Sequence, residues 1–209
     1  MSESAVHASA SVAWRCFVVA TAVGIVVAFA AFVAVFEVTG EPSDVLFPFL
    51  MVGVGLIYGA FQQRAIRPAL GSARGWAVAT GVGLGLGYGL AVALGLGESG
   101  GFLEKMAQTV VAAAAAGAII GTLQWRVLAR RVDDARWWVP ASIAGWAAGG
   151  ALSSAASHID EGLDILIGPV VAAAISGAVL VALIRRTDGR RASALASSPA
   201  PATTTTETG

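Results

Sequence analysis

The chain has 209 residues, of which 56% are hydrophobic and only 12% charged, and its 13 basic and 13 acidic side chains cancel. A soluble domain carries roughly twice that share of charge on its surface. With a mean hydropathy of +0.76, the composition therefore excludes an ordinary soluble enzyme and a disordered chain, and the zero net charge excludes a nucleic-acid binder.

Residues 1–13 read as an unstructured start. Six stretches follow that contain no Asp, Glu, Lys or Arg. They run from Cys16 to Phe36, Val45 to Phe61, Gly75 to Gly97, Met106 to Trp125, Trp137 to Ser157 and Ile165 to Ile184. A helix needs about 20 apolar residues to cross ~30 Å of hydrocarbon. The expected fold is therefore all-α: a bundle of six transmembrane helices over residues 14–186. The second stretch is short unless Gln62 and Gln63 lie inside the membrane. The first is too long for a signal-peptide core and has no small-residue cleavage site before Glu37, so it is expected to be retained. Residues 187–209, rich in Ser, Ala, Pro and Thr, read as a disordered tail. Cys16 is the one cysteine, so no intrachain disulfide can form.

The charges sort by side. Arg15, then Arg64, Arg67 and Arg74, then Arg126, Arg130, Arg131 and Arg136, then Arg185, Arg186, Arg190 and Arg191 account for 12 of the 13 basic residues. All fall at one end of the expected bundle, and Lys105 is the exception. The positive-inside rule places that end, with both termini, in the cytoplasm of a multi-pass cell-membrane protein. Arg15, Arg74 and Arg136 are expected to anchor helix ends to phosphates, and Trp76 and Trp138 to sit at headgroup level.

An internal repeat organises the spans. Arg15-x-Phe17-x2-Ala20-Thr21-x2-Gly24, Arg74-x-Trp76-x2-Ala79-Thr80-x2-Gly83 and Arg136-x-Trp138-x2-Ala141-Ser142-x2-Gly145 align without gaps. Each opens an odd-numbered span. In the even spans Gly55-x3-Gly59-x2-Gln62 matches Gly117-x3-Gly121-x2-Gln124, with Ala173-x3-Gly177-x2-Leu180 as a weaker copy. Three tandem helical hairpins follow, over about 14–67, 74–131 and 136–186; their like orientation puts the symmetry axis along the membrane normal, and whether they close into a ring around it is left open by the sequence.

On a helix, Gly55, Gly59 and Gln62 share one face, as do Gly117, Gly121 and Gln124. Small residues four apart let backbones approach closely in lipid, so each Gln is expected to lie on a packing face and bond across helices. Thr21, Thr80 and Ser142 are expected to bond the carbonyl one turn back on their own helix. The sharper alternative makes Thr21, Thr80, Ser142, Gln62 and Gln124 the polar lining of a pathway.

Chemistry is sparse. No ionisable residue lies at mid-membrane depth, where coupling sites of transporters reside. His158, Asp160, Glu161 and Asp164 could gather at the outer surface, but acidic outer loops already fit the topology, and no metal is expected. The run Gly81-Val-Gly83-Leu-Gly85-Leu-Gly87 has glycine spacing of dinucleotide type yet lies inside a span with no preceding strand, so no cofactor is expected. Ser153, Ser154 and Ser157 have no convincing base partner.

The element Gly117-x3-Gly121-x2-Gln124-Trp125-x2-Leu128, with Arg130-Arg131 and Trp137-Trp138-Val139 after it, resembles bacterial multi-pass membrane proteins with G-x3-G-x2-Q-W-x2-L-R repeats, a set without an established activity. The expected function is a non-catalytic structural or regulatory membrane component that binds a protein or lipid partner or self-associates. The alternative is a small permease or channel for an uncharged or lipophilic solute.

Overall fold

In a computed structural model of the chain, residues 3–40, 43–96, 101–157, 159 and 163–197 are described, and all regular structure among them is helical. Six helices alternate in direction: α1 (Glu3–Thr39), α2 (Phe47–Leu70), α3 (Trp76–Ala93), α4 (Phe102–Leu128), α5 (Trp138–Ala156) and α6 (Leu163–Ala196). A single 3-10 turn at Ala135–Trp137 leads into α5. Pro48 sits in the first turn of α2, where its missing N–H would have had no partner anyway. Gly71 and Gly75 take φ of +71° and +90°, conformations costly to a residue with a Cβ, and this lets α2 reverse into α3 within five residues.

Helical backbone reaches beyond both expected ends. It starts at Glu3, inside the stretch read as unstructured, where Ala, the strongest helix former, recurs at Ala5, Ala8, Ala10 and Ala13. It continues in α6 to Ala196, past the expected boundary at 186. The α6 extension has a local cause. Its Arg190 bonds Asp134 Oδ2 at 2.8 Å and approaches Asp133 at 3.7 Å, and the Thr187 hydroxyl accepts from the Asp133 N–H at 2.9 Å. The α4–α5 turn and the end of α6 are thereby tied together, although the exposed ion pair itself is worth at most about 1 kcal/mol.

Five of the helices are long and apolar enough to cross a membrane. The expectation was six. Helix α5 has 19 residues and no charge, but Trp, Ser, Pro and Gly dilute its hydropathy. Outward faces are apolar: Val19, Val78 and Val111 are each more than half exposed. Five apolar helices with apolar outer faces are the character of a multi-pass membrane protein.

Each helix packs on its chain neighbours, and α1 also packs on α6, so the order closes into a ring. Glycines set the spacing. A Cβ on Gly55 would stand 2.7 Å from the Gly81 Cα, and one on Gly117 would stand 2.8 Å from the Ser142 carbonyl oxygen. The α6–α1 seam is the thinnest junction between hairpins. It holds a hydrogen bond from Trp14 Nε1 to the Ala174 carbonyl at 3.0 Å and the close approach of Gly177 to Phe17. In a Cys16→Ser background, paired cysteines scanned along the Trp14/Val18 and Ala174/Ala178 stripes should form disulfides in membranes at one pairing or more. Uniform failure, with α1–α2 control pairs linking normally, would refute ring closure.

Candidate functional site

The interior is layered. At the arginine-rich end one aromatic side chain from each odd helix converges: Phe17 lies 6.4 Å from Trp76, edge-on, and Trp76 lies 5.4 Å from Trp138, centroid to centroid. Leu128, Leu180 and Leu183 join them in one buried cluster. Together these side chains form a plug across the ring.

A polar layer sits directly above the plug. Trp76 Nε1 donates to Gln62 Oε1 at 3.0 Å, and Gln62 Nε2 donates to Thr21 Oγ1 at 2.9 Å. In the next hairpin the same bonds recur at the same lengths: Trp138 Nε1 to Gln124 Oε1, and Gln124 Nε2 to Thr80 Oγ1. The direction of every bond follows from the indole, which can only donate. Its N–H must meet the amide oxygen, so the amide nitrogen faces the threonine. The threonine oxygen then accepts, and its own proton goes to the carbonyl one turn back, Phe17 O for Thr21 and Trp76 O for Thr80, each at 2.9 Å. Each Gln thus joins three helices: α1, α2 and α3 through Gln62, and α3, α4 and α5 through Gln124.

The third position is different. Ser142 stands where Thr21 and Thr80 stand and is 2% exposed, and its hydroxyl makes no hydrogen bond among the described residues. No glutamine comes to meet it. In the first two hairpins Gly24 packs against Tyr58 and Gly83 against Ile120, but in the third Gly145 packs against Ala172. That pairing places Ser176, rather than Leu180, at the level of Gln124. The match of Ala173, Gly177 and Leu180 to the other even helices is therefore one turn out of register. In α6 small residues recur every four positions, so adjacent turns look alike in sequence. Ser176 is too short to span the ring, and its hydroxyl bonds Ala172 O at 2.6 Å.

Trp76 and Trp138, expected as anchors at headgroup level, are 0% and 2% exposed and face inward, inside the plug. Trp125 and Trp137 are the ones left at the surface, at 37% and 54%. Arg15, Arg74 and Arg136 are exposed; Arg74 and Arg136 lie just before α3 and α5, whereas Arg15 lies within α1. Gly59 and Gly121 each lie against the next hairpin's hydroxyl residue, Thr80 and Ser142. Of the residues suggested as pathway lining, Gln62, Gln124 and Ser142 border a small chamber of about 20 Å³, with Tyr58, Trp146 and Ser176. Thr21 and Thr80 do not border it.

Beyond the chamber, toward the acidic end, lies a cavity of about 360 Å³. All six helices wall it, with Ile25 and Phe32 from α1, Met51 and Tyr58 from α2, Leu84 from α3, Ala113 from α4, Trp146 from α5 and Pro169 from α6. Its volume falls in the range of small-molecule sites. The lining is aromatic and aliphatic with a few hydroxyls, and no charged residue contributes. Phe29 borders it and is also 37% exposed, so the cavity reaches the bundle surface there. Tyr58, Trp146 and Pro169 border both spaces.

Sequence reasoning did not single out Tyr58 or Trp146. Each is one aromatic residue in an apolar span, without a distinguishing pattern. His158, Asp160 and Glu161 lie outside the described residues, as does the side chain of Asp164, and among the described residues no group of three metal-ligating side chains occurs. No family model, curated protein or solved structure matches the chain.

Proposed function

We propose that this chain is a non-catalytic, multi-pass cell-membrane protein that holds an uncharged lipophilic molecule in the outer half of its bundle. Three like-oriented hairpins enter from the cytoplasm at their arginines, and both termini lie inside. The paired Thr–Gln–Trp bridges and the placement of the basic residues support that arrangement. One observation carries the functional reading: the cavity of about 360 Å³ is walled by all six helices and lined without charge. An ion would lose its hydration there with nothing to replace it, whereas an apolar molecule gains contacts. The partner is thus read as a lipid-like molecule rather than a protein.

A second reading, transport of the same molecule, is favoured by the plug, which closes the cavity at the arginine-rich end. Equilibrium binding without flux through proteoliposomes would separate holder from carrier.

The binding reading predicts saturable 1-aminoanthracene fluorescence on the protein in amphipol. Leu84→Trp, which drives an indole into the cavity from a residue 4% exposed, should weaken that binding at least tenfold. Undiminished binding in a folded Leu84→Trp protein would place the probe elsewhere.

A further inference from the structure

The missing third bridge leaves more than an asymmetry. In the first two positions every polar atom of the layer has an assigned partner: indole to amide, amide to hydroxyl, hydroxyl to backbone. At the third, the indole is replaced by Phe17 and the glutamine by Ser176, and the Ser142 hydroxyl is left buried without a hydrogen bond among the described residues. Stranding a hydroxyl in an apolar interior is unfavourable. Ser142 faces the chamber of about 20 Å³, which the glutamines Gln62 and Gln124 also border. Each amide retains one N–H and one lone pair beyond the bonds already described. Three uncharged groups able both to donate and to accept therefore converge on one small space beside the large apolar one.

We propose that this chamber is the head-group subsite of the cavity, and that the ligand is an apolar molecule ending in a single uncharged oxygen function, a hydroxyl or a carbonyl. The inference rests on the binding reading above and deepens it. Size sets the limit: one water-sized probe needs about 10–15 Å³, so the chamber admits one oxygen and its hydrogen, and not a phosphate or a sugar. Charge sets the second limit, because neither space is lined by Arg, Lys or His and an ionised head would be unpaired. Tyr58, Trp146 and Pro169, shared by both walls, mark where the body of the ligand would pass into its head. A long-chain or isoprenoid alcohol or a ketone fits this description, and a phospholipid does not.

The test is displacement of 1-aminoanthracene from the purified full-length protein in amphipol by 1-dodecanol and by dodecane. The alcohol should displace the probe at a concentration about three- to tenfold lower than the hydrocarbon, the size of one net neutral hydrogen bond. In Ser142→Ala, which removes one of the three polar groups and leaves the fold's contacts, the difference between the two should shrink while the probe itself still binds. If both compounds displace equally from the wild-type protein, the cavity stands and the head-group subsite is refuted, the chamber then holding no more than a water. A preference for the alcohol that survives unchanged in Ser142→Ala refutes the assignment to this chamber. If the probe does not bind saturably, the cavity reading and the subsite fall together.

Discussion

Gly55→Leu should abolish assembly of the bundle, while Gly53→Leu on the same helix should leave it intact or slightly more stable. A single residue separates these positions, and both are glycines in a helix. A Cβ at Gly55 would meet the Gly81 Cα at 2.7 Å and the Thr80 carbonyl oxygen at 3.0 Å, both backbone atoms, whereas one at Gly53 has nothing within 4 Å. A backbone neighbour cannot rotate away, so a larger residue at Gly55 must push α3 off α2 along their shared face. Overpacking of a close interface costs typically 1–3 kcal/mol and more where nothing can yield. About 3 kcal/mol is a large part of a domain's stability. At Gly53 the only change is replacement of a poor helix former by a good one, a gain of roughly 0.5–1 kcal/mol. Gly117→Leu should behave as Gly55→Leu does, because its Cβ would meet the Ser142 carbonyl at 2.8 Å and Trp146 at 2.9 Å. The folded fraction in mild detergent, by size-exclusion profile and thermal unfolding, reads the difference. Equal behaviour of the Gly53 and Gly55 variants would mean that close backbone approach does not hold the helices.

Gln124→Leu should destabilise by about 1–3 kcal/mol, and Trp138→Phe added to it should recover most of that loss. Leucine nearly matches glutamine in volume, so the cost lies in hydrogen bonding. The single change strands the Trp138 N–H, whose side chain is 2% exposed and whose one acceptor is Gln124 Oε1 at 3.0 Å. A buried donor without a partner costs roughly 1–3 kcal/mol, while removing both partners together is close to neutral. Thr80 loses less, since its own proton remains on Trp76 O. The double variant converts the second bridge to the state the third already has, where Phe17 is buried beside leucines without any polar contact. Reversible unfolding in detergent of the two single variants and the double gives the coupling directly. A double variant as unstable as the sum of the singles would show that packing, not the bridge, sets the value of this layer. Helix–helix hydrogen bonds in membrane proteins often measure below 1 kcal/mol. The prediction here sits higher because the indole has nowhere else to donate.

Much of the fold is visible in the order of residues. Hydrocarbon thickness demands a long apolar stretch, and that is a local property, so the helices fall close to where uncharged runs place them. Charge asymmetry between loops is local too. Gln62 and Gln124 could be placed on packing faces because four-residue glycine spacing defines a face within one helix. Helix α5 marks where local reading weakens: its indoles and serines, which lower its hydropathy, are the groups the interior uses. Trp76 and Trp138 mark it more clearly. An indole next to arginines at the end of an apolar run has the pattern of an interfacial anchor, and only the approach of the preceding even helix with its glutamine turns that indole inward.

The sequence alone carried the class of molecule, the number of helices and the side on which the arginines gather, because each depends on composition summed along one segment. Tertiary packing decided the rest: the one-turn slip of α6 against α5, the convergence of Phe17, Trp76 and Trp138 into a plug, and the cavity that all six helices wall. A slip of one turn exchanges one small residue for another and leaves the apolar pattern unchanged. Only the fit of side chains between helices, where a misplaced Cβ meets backbone, selects one register over the next.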